Sequence, residues 1–118
     1  MRYELPYPPS VNHYWNRRKG GRGMYISAAG VAFRASVASA VQLAGPADPL
    51  CGPLVVVAQA FPPDRRKRDL DNLWKALLDA LAHAGAYADD SQIVDERIYW
   101  GPRVPGGRVV VDVDEVGE

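Results

Sequence analysis

The sequence is short of the residues that build covalent or metal-bound cores. Cys51 is its one cysteine, and His13 and His83 are its two histidines. A single cysteine excludes an internal disulfide and a cysteine-based zinc cage. Neither histidine has a motif around it, and His83, in the last turn of an expected helix, is accounted for by the helix dipole. Long apolar runs are also missing; none approaches the roughly 20 residues that span a bilayer. The start, Met1-Arg2-Tyr3-Glu4-Leu5, has no cationic flank followed by an apolar stretch, so no signal peptide is visible. A cytoplasmic chain without membrane association is expected. Net charge is absent as well, with 14 cations against 14 acids. There is no internal repeat and no low-complexity segment.

What is present is segregated. Arg17, Arg18, Lys19 and Arg22 form one basic cluster and Arg65, Arg66, Lys67 and Arg68 another, while acids gather at Asp89 to Glu96 and from Asp112 to Glu118. A neutral total that hides such patches is compatible with a local phosphate-binding surface. The 118 residues suffice for one domain with a hydrophobic core and not for two, so a single domain, 1–118, is expected.

Along the chain, Arg2 to Leu5 reads as a strand stopped by Pro6, Pro8 and Pro9. Ser10 to Tyr25 has the composition of a loop, with Tyr14 and Trp15 beside the first basic cluster; at least one of these rings is expected to tuck into the core. Ser27 is a good N-cap for a helix over 28–44, with Phe33, Val37, Val41 and Ala44 on one face and Gly45-Pro46 as its stop. Leu54 to Phe61, with three valines in a row, reads as a strand covered on both faces. A second helix starts near Asp69, carries a wide stripe through Leu70, Leu73, Leu77 and Leu81, and ends at Ala84 and Gly85. Gln92 to Trp100 and Arg108 to Val113 supply two more strands, the last with the alternation of a half-buried edge strand. The order β-α-β-α-β-β predicts an α+β fold: one mixed sheet of about four strands with two helices packed on it.

The stretch Arg65 to Lys75 carries the chemistry. Asp71, Lys75 and Asp79 follow at spacings of four, on a helix face expected to point away from the core. Asp71 four residues before Lys75 is also a favourable helix ion pair, of about 0.3 to 0.5 kcal/mol. Asp69 would cap the helix, contributing about 0.5 to 2 kcal/mol. Capping explains one aspartate, but not two in three positions behind four cations. Asp89 and Asp90 add a second acidic pair before the next strand. If that strand lies beside Leu54 to Phe61, one of them is expected to converge on Asp69 and Asp71. Clustered carboxylates repel unless a cation sits between them, and Mg²⁺ with its waters and substrate phosphate oxygens is a natural occupant.

The run Arg-Arg-Lys-Arg-Asp-Leu-Asp-Asn from Arg65 to Asn72 stands with Lys75, Asp79-Ala80-Leu81, Gly85 and Asp89-Asp90-Ser91-Gln92-Ile93. This combination resembles the RusA family of Holliday junction resolvases. Pro8-Pro9-Ser10, Asn12, Tyr14 and Trp15 extend the likeness toward the start. The resemblance implies a Mg²⁺-dependent (Mn²⁺ as a substitute), homodimeric endonuclease that places paired nicks across a four-way DNA junction. Asp69, Asp71 and Asp90 would hold the metal and Lys75 would be the catalytic lysine. Asp89 would be a supporting group or a turn residue. Arg65, Arg66, Lys67 and Arg68 would grip phosphates, and the loop carrying Arg17, Arg18, Lys19 and Arg22 would reach the junction centre, where Tyr14 or Trp15 would stack on opened bases. The alternatives are a nuclease for other branched DNA and a branched-DNA binding protein that does not cut.

Overall fold

The apolar run becomes β4 (Leu54–Phe61), and the chain is built outward from it. In the computed structural model, which describes residues 1–17 and 23–116, the elements before β4 are β1 (Arg2–Leu5), α1 (Val11–Tyr14), β2 (Trp15–Arg17), β3 (Met24–Ile26) and α2 (Ala28–Ala44). After it come α3 (Leu70–His83), a 3₁₀ turn (Asp90–Gln92), β5 (Ile93–Trp100) and β6 (Arg108–Glu115). The main sheet has the order β1-β6-β4-β5. Only β4 and β5 run parallel, from Leu54 beside Ile93 to Ala60 beside Trp100. The α+β class and the four-stranded mixed sheet agree with the sequence.

Three details differ. The stretch expected to be all loop contains α1 and a small hairpin, in which β2 pairs with β3 from Trp15–Ile26 to Arg17–Met24. The strand β6 lies between β1 and β4, so its alternation marks a sheet with one covered face, not an edge. For the same reason β4 is not covered on both faces: Leu54, Val56, Ala58 and Ala60 are buried, while Val55, Val57 and Gln59 are only half-buried. The helices lie on the first of these faces, and period-two alternation prevails over the apolar run.

The core sits in that helix–sheet layer. Leu73, Leu77 and Leu81 of α3 and Phe33, Val37 and Val41 of α2 meet Val109, Val111 and Val113 of β6 and Tyr3 and Leu5 of β1. Ser27 caps α2 by accepting from the Gly30 amide at 3.0 Å, as expected. Gly30 is required by closeness, since a Cβ there would stand 2.6 Å from the Tyr14 carbonyl oxygen and 2.7 Å from Ile26. Ala44, expected on the buried stripe, is exposed; α2 runs past the layer it covers. Gly85 ends α3 with φ of +87°, the left-handed conformation the sequence predicts.

Candidate active site

Pro62 and Pro63 stop β4, and the loop that follows turns the chain into α3 at the C-terminal edge of the parallel strand pair. Asp64 organises this loop. Its carboxylate accepts the Arg66 backbone N–H at 2.8 Å and the Arg68 guanidinium at 3.0 Å. Those bonds, the Arg68 one foremost, hold the Asp64 carboxyl well below the usual carboxylate range. Arg68 also stands over the Tyr7 ring, 5.6 Å from its centre. The tetrad is therefore divided. Arg68 braces the loop, and Arg65, Arg66 and Lys67 are exposed.

Asp69 is the N-cap of α3, and its Oδ1 accepts the Asp71 amide at 3.1 Å. Asp71, in the first turn, and Lys75, one turn on, are both exposed. The expected ion pair between them does not occur among those the described residues form. Asp69 also lines a groove of about 790 Å³, together with Arg66, Lys67, His13, Asn72 and Trp100. Across the groove the Ser10 Oγ and His13 Nδ1 are hydrogen-bonded at 2.7 Å.

Asp90 is elsewhere. It precedes β5, whose parallel pairing places it at the opposite edge from the start of α3. Its Oδ1 accepts the Tyr87 hydroxyl at 2.9 Å, and that hydroxyl lies 2.8 Å from the Leu78 carbonyl. Leu78 is seven residues beyond Asp71, or about 10 Å along the helix axis. The expected convergence of Asp90 on Asp69 and Asp71 therefore does not occur within one chain. Among the described residues, no three His, Cys, Asp or Glu side chains stand close enough to hold a metal ion. Two neighbouring carboxylates at an exposed helix start still fit a hard cation, because Mg²⁺ is commonly held by one or two carboxylates with waters and substrate phosphates. Burial and then the Asp90 charge push the Tyr87 hydroxyl far above its ordinary range, so it stays a proton donor to Asp90. Asp89 is a turn residue: its Oδ2 accepts the Ser91 amide at 3.1 Å, and its own amide donates to Gln92 at 2.7 Å.

Tyr14, one of the two rings expected to stack on opened bases, does not present its ring to the surface. It is fully buried, and its hydroxyl donates to Asp79. Arg34 completes the arrangement, reaching Asp79 Oδ2 through Nη2 at 2.8 Å and the Tyr14 oxygen through Nε at 2.7 Å. Its guanidinium also stands 5.6 Å from the Tyr14 ring centre and 5.5 Å from that of Trp15. Asp79 is thus turned toward α2 and not, as its spacing predicts, outward with Asp71 and Lys75. Trp15 is half-buried against the core. Arg18, Lys19 and Arg22 lie outside the described residues, and of Arg17 only the backbone is described. Sequence reasoning missed Arg34, His13 and Trp100. Arg34 is a lone charge between Phe33 and Ala35 in an alanine-rich helix, His13 has no motif, and Trp100 reads only as a strand residue.

An exposed basic loop that opens onto paired carboxylates at a helix start is the layout of an enzyme acting on phosphodiesters. Residues 6–114 match the family model described as Endodeoxyribonuclease RusA. Crossover junction endodeoxyribonuclease RusA of Escherichia coli is 42% identical over 113 residues, covering 96% of this chain and 92% of its own. The Shigella sonnei protein of the same name matches with the same identity and coverage, as does that of Enterobacteria phage 82. The chain belongs to the RusA family of endodeoxyribonucleases.

Proposed function

We propose that this chain resolves four-way DNA junctions, as a homodimer that makes paired symmetric nicks with Mg²⁺. The observation that carries this reading is the placement of Asp69 in the same groove as Arg66 and Lys67, with Asp71 two residues on. A substrate phosphate gripped by the exposed cations comes to the acid-bearing end of α3, where the positive end of the helix dipole also favours an anion. Asp69 and Asp71 would hold a divalent cation there. When bound, the cation neutralises phosphate charge and activates a water. Lys75, exposed one turn beyond Asp71, adds positive charge where the transition state gains negative charge.

One acid-bearing end serves one strand, so symmetric cutting of a junction calls for two copies related by a two-fold axis. Asp90 takes part in the same cation site only if a second copy presents it, given its place beside Leu78. The whole chain acts as one such domain, and it works on DNA in the cytoplasm; among the described residues no helix is long and apolar enough to cross a membrane.

Labelled four-way junctions in Mg²⁺ test the reading. The parent should nick two opposing strands, and Asp71→Asn should lose at least 100-fold in rate while keeping junction affinity. Equal cutting by Asp71→Asn removes it from the metal site. Tight binding without cutting in any divalent ion makes the chain a junction-binding protein. Preferential cutting of flaps makes it a nuclease for other branched DNA.

A further inference from the structure

The groove has a component that phosphate chemistry does not use. Trp100 ends β5, the edge strand next to β4, and keeps 38% of its surface exposed. It lines the same groove as Asp69, Arg66 and Lys67. An indole in a concave, cation-flanked wall is a stacking surface, because every nucleobase has a π-face to offer it. The groove volume of about 790 Å³ falls within the range of about 300 to 1,000 Å³ typical of small-ligand clefts.

From this we infer that the groove binds an unpaired nucleotide adjoining the phosphate that is cut, with its base stacked on Trp100. The inference rests on the junction-endonuclease reading for the identity of its ligand. Charge complementarity supports a nucleotide over an apolar partner. Arg66 and Lys67 are exposed in the groove that the indole lines; Asp64 holds Arg68 closely and meets Arg66 only at 3.7 Å. Groups able to read a base edge are also present. Asn72 offers both a donor and an acceptor, and the His13 ring, with Nδ1 occupied by Ser10, has Nε2 left for the groove. A duplex would keep its bases paired and present only its backbone. An indole beyond the phosphate grip has a use once one base leaves its stack, at a cost lowest where pairing is already broken, as at a branch point.

The test is a cycle between protein and DNA. The cut site is mapped first, and junctions are then made with a single abasic residue at each position flanking the cut. Cleavage is followed under single-turnover conditions for the parent, Trp100→Ala and Trp100→Phe. At one flanking position the abasic residue should slow the parent about 10-fold, the scale expected for one lost base stack. Trp100→Ala should be about as slow on the intact junction and no slower on the abasic one, with Trp100→Phe near the parent. Parent-like cutting by Trp100→Ala, or effects that multiply at every flanking position, would overturn the inference. A second measurement is independent of cutting: affinity for a short single-stranded oligonucleotide without divalent ion. Trp100→Ala should bind about 10-fold more weakly than the parent and Trp100→Phe close to it. Equal affinities sink the stacking site. A parent that binds the oligonucleotide through Trp100 yet never cuts junctions sinks the endonuclease reading instead.

Discussion

Removing the Tyr14 hydroxyl tests the interior contact on which the N-terminal third is hung. Tyr14 is fully buried, and Asp79 accepts from it and from Arg34, whose side chain is 21% exposed against 35% for Asp79. Tyr14→Phe deletes two hydrogen bonds, the one donated to Asp79 and the one accepted from Arg34 Nε, and should cost about 1.5 kcal/mol, at the low end for bonds to charged groups because Arg34 still pairs with Asp79 through Nε and Nη2. Asp79→Ala is worse. It leaves a buried hydroxyl and a largely buried guanidinium without their acceptor, for a loss of about 2.5 kcal/mol after discounting for the water that reaches Asp79. In the double variant the hydroxyl is no longer there to be orphaned, so the total should be about 3 kcal/mol and the coupling about 1 kcal/mol. Urea midpoints at one pH and low salt measure all four corners, urea being preferred because guanidinium would screen the ion pair. Additivity within about 0.3 kcal/mol would refute the contact.

Further outcomes follow from the same geometry. Tyr14 and Tyr87 both have hydroxyls raised above the ordinary range, by burial first and by Asp79 or Asp90 second. Each holds its proton more tightly folded than unfolded, so their contribution is intact below about pH 10, where an unfolded tyrosine begins to titrate. It is lost as pH rises above that, at up to about 1.4 kcal/mol per pH unit for each proton. Urea midpoints from pH 9 to 11 should therefore fall, and less steeply in Tyr87→Phe; an identical slope would refute the assignment. Mixing Asp71→Asn with Asp90→Asn protein, each inactive alone, should restore nicking of one strand if the acids meet across two copies, and nothing if each chain holds its own set. Arg66→Ala and Lys67→Ala should each weaken junction binding and lower the slope of log affinity against log salt by about 1. Arg68→Ala should instead destabilise the fold, since its partners are Asp64 and Tyr7.

Local rules carried far because the punctuation is strong. Pro6, Pro8 and Pro9 end β1, Ser27 caps α2, Pro62 and Pro63 end β4, and Gly85 closes α3; the prolines and Gly85 act through their own backbone and Ser27 through its side-chain oxygen on a nearby amide, so each signal is local. The leucine stripe of α3 is equally local, since helical period alone puts Leu73, Leu77 and Leu81 on one side. The order of elements, the α+β class and the family motif around Arg65 to Lys75 all followed. Motif spacing, however, counts positions along the chain and carries no direction in space. It could not show that Arg68 turns inward to Asp64, or that Asp79 leaves the polar face for Tyr14 and Arg34.

The same limit governs the third acid. The spacing of Asp69, Asp71 and Asp90 was readable from residue order, but their meeting depends on how β5 pairs. Because β5 runs parallel to β4, the residue before β5 and the residue after β4 stand at opposite edges of the sheet, with the length of α3 between them. Chain order determined which acids are present. Strand direction decided that one copy does not bring them together, and it set Trp100 at the C-terminal edge, in the groove with Asp69.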